Sequence, residues 1–99
     1  MTFPISRHDE STFPKFSSHS EAAAFFKGKF GMDFVLESSE NIGGMVCYFY
    51  AVIVDHAAYH KGRKLLSKGQ PITGELGMQF ITSYQPVQIM DNGNVHIVY

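Results

Sequence analysis

Every residue from Met45 to Val54 is apolar or aromatic, in the order Met-Val-Cys-Tyr-Phe-Tyr-Ala-Val-Ile-Val. Read with the two-residue period of a strand, this run is apolar on both faces, as a central strand is, and it needs cover above and below. Upstream, Phe34 and Leu36 are interleaved with Asp33, Val35 and Glu37, so Met32 to Glu37 predicts a strand with one buried face. Asn41, Gly43 and Gly44 supply the turn between the two.

Two helices are announced by their starts. Ser18 precedes Glu21 at capping-box spacing and leads into Ala22 to Phe26, with Phe26 and Phe30 on one face; Gly28 and Gly31 end the helix between them. Asp55 is placed to cap a second helix with Tyr59, Gly62 and Leu66 on one stripe, stopped by Gly69 and Pro71.

Leu76, Met78, Phe80, Thr82 and Tyr84 then alternate with Gly77, Gln79, Ile81 and Ser83, which predicts a third strand that Pro86 interrupts or bends. The tail predicts a hairpin: Val87 to Met90 and Val95 to Tyr99 flank Asp91-Asn92-Gly93-Asn94, a type I′ turn at Asn-Gly would join them, and Met90 would face Val95.

Residues 1–16 are rich in Pro, Ser and Thr and carry Thr-Phe-Pro twice, at Thr2 and at Thr12. They predict an N-terminal arm or edge strand whose Phe3, Phe13 and Phe16 dock on the rest, with residues 17–99 forming one domain. The expected class is α+β: a mostly antiparallel sheet with two helices on one face. The order resembles a ferredoxin-like layout with an added C-terminal β-hairpin if Thr12 to Phe16 supplies its first strand.

At 99 residues, with 44% hydrophobic and 14% aromatic content, the chain fits one core and argues against wholesale disorder. A net charge of −1 argues against a surface built wholly for nucleic acid or anionic membrane, though a local basic patch stays open. Cys47 is the single cysteine, so no intramolecular disulfide forms, and the expectation is a cytoplasmic protein. Met1 to Glu10 lacks the apolar stretch of an export signal, and Met45 to Val54 is far short of the ~20 residues of a spanning helix. No membrane partner is expected.

The chemistry-bearing residues each have an ordinary reading. His56 and His60, four apart on a helix, share a face, but no Glu adjoins them in a zinc-protease pattern, and a solvated helix face accounts for them. Cys47 has only apolar neighbours, which favours a core thiol over a nucleophile. Asp33 and Glu37 lie ~13 Å apart on a strand, too far for a glycosidase pair. No phosphate-binding loop, nucleophile elbow or dinucleotide fingerprint is present, so no catalytic residue, metal ligand or cofactor is assigned.

Lys27 and Lys29, then Lys61, Arg63, Lys64 and Lys68, gather in or after the two helices. They complement the helix dipoles; in a ferredoxin-like arrangement Lys27, Lys29, Lys64 and Lys68 would also meet at one end as an anion-contact rim. The central strand lacks the leading basic residue and the glycine and aromatic spacing of RNA-binding sheets, so weak nucleic-acid or polyanion binding is the alternative reading. The leading expectation is a non-catalytic protein-binding or regulatory domain acting through an aromatic sheet face. Tyr48, Tyr50, Tyr84 and Tyr99 would be its contacts, with the second face covered by the chain's own arm and hairpin, by an identical subunit in a homodimer, or by another protein.

Overall fold

The computed structural model describes residues 3–99; Thr2 of the first Thr-Phe-Pro triplet lies outside them. The chain forms α1 (Arg7–Ser11), α2 (His19–Phe30), a short 3-10 turn (Gly31–Asp33), β1 (Phe34–Ile42), β2 (Met45–Ile53), α3 (His56–Ser67), α4 (Gly74–Ile81), β3 (Tyr84–Met90) and β4 (Val95–Ile97). The strands make one antiparallel sheet in chain order, β1-β2-β3-β4. This is an α+β fold, with the apolar run as an inner strand.

Local chemistry sets most boundaries. Ser18 caps α2 by accepting from the Glu21 N–H at 3.2 Å, while the Glu21 carboxylate accepts from Ser17 Oγ at 3.0 Å, one residue short of a reciprocal capping box. Asp55 caps α3 through the Ala58 N–H at 3.1 Å. Gly43 and Gly44, both at positive φ, join Ile42 to Met45 in the two-residue loop that a type I′ hairpin requires.

Three expectations are corrected. Gly74 to Ile81 is helical, not the start of a strand: Leu76, Gly77 and Phe80 turn inward at helical spacing while Met78 and Ile81 stay in water, so the apparent alternation came from apolar residues on both sides of a helix. The third strand instead begins at Tyr84 and runs through Pro86. In the terminal hairpin Val95 faces Ile89, not Met90, and only Gly93 has positive φ; the Met90 N–H donates to Asn94 O at 2.9 Å around a three-residue loop.

The helices also do not share a face. Register places Phe34, Tyr48, Tyr50, Val52, Gln85, Val87, Ile89 and Ile97 on one side, where α2 lays Ala22 and Phe26 and the arm lays Ile5. Val35, Ala51, Ile53 and Tyr84 point to the other side, against Tyr59 of α3 and Phe80 of α4. A strand apolar on both faces has recruited a helix to each, at roughly 1.5–3 kcal/mol per large side chain buried. The ferredoxin-like layout lacks its first strand, because none of residues 3–16 is in a strand.

The arm is docked nonetheless. Ser6 and Asp9 form a capping box that starts α1, Phe13 and Phe16 pack on Phe25 with ring centroids 5.3 and 5.2 Å apart, and Ile5 is buried. The Gly93 turn closes over the arm so tightly that a Cβ there would lie 2.8 Å from Ser18 N.

Candidate functional site

The four tyrosines expected to share a contact surface lie in three separate places. Tyr48 and Tyr50 are on the α2 face, beneath His19, the first residue of α2. The imidazole stacks on Tyr48 at 3.6 Å between centroids, and its Nε2 is 2.7 Å from the Tyr50 hydroxyl. Tyr50 is buried and stacks on Phe34 at 4.4 Å; burial, then neighbouring Tyr48, pushes its pKa up. Tyr84 pairs with Ile53, so it faces the opposite side and meets Tyr59 at 5.4 Å. Tyr99 follows β4, its ring 4.6 Å from the Arg7 guanidinium and its hydroxyl donating to Glu10. The chain itself thus covers the α2 face over Tyr48 and Tyr50, while Leu36, opposite Tyr50 on β1, stays 55% exposed.

The opening is on the other face. Helices α3 and α4 cover the end of the sheet that carries Ala51, Ile53 and Tyr84. At the far end the same face presents Ile42 from β1, Met45, Cys47 and Phe49 from β2, and Pro86 and Met90 from β3, none of which belongs to either hydrophobic core, with Ser38 and Gln88 flanking Phe49 in its row. Ile42 is 56% and Met45 38% exposed, and Phe49, Pro86 and Met90 are half-buried. Cys47, opposite both Glu40 and Met90, is buried in the middle; desolvation, then the Glu40 charge, pushes its thiol up and disfavours the thiolate. Glu40 on β1 and His96 on β4 bound the patch at its two edges. Its apolar side chains gather toward the β1–β2 hairpin end, and the row through Phe49 carries Ser38, Gln88 and His96.

A polar constellation marks where the covered half ends. The β-bulge between Leu36 and Ser38 turns Glu37 under α3, where it accepts from the Tyr59 hydroxyl at 2.9 Å and lies 3.5 Å from Arg63. These contacts satisfy the carboxylate and lock α3 to β1. His56 Nε2 is 2.7 Å from Asp33 at the surface, and its ring stacks on His60 at 5.8 Å. Among the described residues no three His, Cys, Asp or Glu side chains are grouped to hold a metal ion.

The Asp33–His56 contact sets the start of α3 beside the turn that follows α2. Lys27 and Lys29 belong to α2 on one sheet face, and Lys64 and Lys68 to the end of α3 on the other. No helix of the described residues is long and apolar enough to cross a membrane.

Ile42, Phe49, Pro86 and Met90 carried no signal of their own as contact residues. The two-faced character of β2 was visible, but which half of which face stays open depends on where α4 lies. Comparison with protein-family models, with curated proteins and with solved structures finds no match for this chain.

Proposed function

We propose that this protein is a small non-catalytic binding domain of the cytoplasm that associates with a second copy of itself through the open half of the α3–α4 sheet face. The observation that carries this reading is the cluster of Ile42 and Met45 at the β1–β2 hairpin end with Phe49 and Met90 beside them, on a part of the sheet face to which neither hydrophobic core of the described residues extends. An apolar patch of a few hundred Å² is of a size that monomers carry, and such patches are often functional. An identical subunit suits it: with the two-fold axis parallel to the strands, β1 of one copy lies over β4 of the other, and the Glu40 rim meets the His96 rim. A net charge of −1 opposes such pairing little. The single, buried cysteine accords with a reducing compartment.

Four strands about 4.8 Å apart and three side-chain rows about 6.8 Å apart make a patch of roughly 300 Å². That is well below the ~800 Å² per partner of a standard interface, so the dimer is weak and concentration-dependent. Light scattering across a concentration series tests it. The mean mass should climb from that of the monomer toward twice that value, and Ile42→Glu and Met45→Glu, exposed positions that leave the fold intact, should hold it at the monomer. A wild-type protein monomeric at every concentration would overturn the proposal.

A further inference from the structure

Gln85 is fully buried, on the α2 face of β3, and both ends of its side-chain amide go to one residue eighty positions away. Its Oε1 accepts from the Ile5 N–H at 2.9 Å, and its Nε2 donates to Ile5 O at 2.8 Å. A neighbouring β-strand offers an extended residue the same donor and acceptor; here a side chain supplies them. The Ile5 side chain is 1% exposed and belongs to the core cluster of Val52, Val87 and Ile97. Ile5 itself lies in a bend. A backbone read by paired hydrogen bonds and a side chain read by an apolar socket are the two parts of peptide recognition.

The segment that fills this socket is separable from the rest of the arm. Between Ile5 and Phe13 lies α1, which buries none of its residues and touches the body through the clasp of Arg7 and Glu10 on Tyr99. Phe13 and Phe16 hold the arm to α2 independently. Residues 3–7 can therefore leave while the aromatic anchors stay packed. Gln85 is otherwise an unsuitable core residue, since an amide is tolerated in such a place only while both its hydrogen bonds are made.

We infer that the Gln85 socket is a peptide-binding site that the chain fills with its own residues 3–7, and that its ligand in trans is a bent segment of a partner protein with proline followed by an aliphatic residue, as Pro4-Ile5 presents. The tether keeps the internal segment at high effective concentration, so the site is closed to a free peptide until the arm is displaced or weakened. This site lies on the sheet face opposite the self-association patch, and either reading can fail without the other.

A fluorescent peptide spanning Phe3 to Ser11, titrated by anisotropy into the full-length Ile5→Asp variant, tests the inference. Saturable binding is expected, at least tenfold weaker to wild type, and lost in Ile5→Asp/Gln85→Ala and with a peptide carrying Asp in place of Ile5. Equal binding to wild type, or retention in the Gln85→Ala background, would place the peptide elsewhere and overturn the site. A folded Ile5→Asp chain that binds no peptide would overturn it too, as would an unfolded one that excess peptide fails to refold, because the arm would then be an integral part of the core.

Discussion

The Tyr59 hydroxyl and the Glu37 carboxylate illustrate how single groups set the conditions under which this fold is stable. Burial, then the hydrogen bond to Glu37, raises the Tyr59 pKa far above its ordinary value of 10.0. Burial raises Tyr50 and Tyr84 in the same direction. A raised folded-state pKa contributes stability that is complete below the unfolded value and disappears as pH climbs toward the folded one. The thermal midpoint should therefore decline once pH passes ~10, and Tyr59→Phe should flatten that decline, both followed by circular dichroism. At neutral pH Tyr59→Phe removes one donor from a carboxylate that keeps Arg63, an expected loss of about 1–3 kcal/mol. Two glycines make a second pair. A Cβ on Gly62 would lie 2.6 Å from Phe80 Cγ, whereas nothing lies within 4 Å of one on Gly28. Denaturant unfolding should show Gly62→Ala destabilising by about 1–3 kcal/mol and Gly28→Ala stabilising by up to about 1 kcal/mol. Tyr59 and Gly62 were legible as one stripe of a helix; their partners Glu37 and Phe80 were not, because a bulge and a misread helix bring them there.

At the scale of elements, what the chain announces locally is what the structure keeps. Ser18 and Asp55 start their helices, Gly43-Gly44 turns its hairpin, and β2 runs from Met45 as its composition requires. Elements whose signal depends on tertiary context were not legible. The α4 helix carries Met78 and Ile81 on its exposed side, each 62% accessible, and these alternate with Leu76 and Phe80 in a way that imitates a strand over its eight residues. Exposed Met78 gives a test of sign: Met78→Ala should leave stability unchanged or raise it slightly, and Met78→Val should lower it by roughly 0.5 kcal/mol, the reverse of the order in a strand. The Ser6–Asp9 capping box that starts α1 was present in the sequence, but no apolar stripe follows it, since α1 buries nothing. The Gln85–Ile5 clasp had no sequence signal at all; its partners are joined by the fold alone.

At the scale of the molecule, the α2 face is closed by helix and arm except at Leu36 on the β1 edge, while the opposite face is packed over one half by α3 and α4. The demand of β2 for two covers was readable from its composition; the identity of the covers was not. The four tyrosines promised one aromatic surface, and strand parity distributes them over both faces and the C-terminal edge. The remaining apolar opening is what self-association would close. Methionine methyl groups report on it directly, because Met45 and Met90 lie in the patch whereas Met32 and Met78 are exposed elsewhere. Methyl spectra of methionine-labelled protein across a dilution series should show the Met45 and Met90 resonances moving together with one midpoint while Met32 and Met78 stay fixed. Met45 and Met90 signals unchanged over the whole series, or movement of Met32 and Met78 in their place, would contradict the self-association surface.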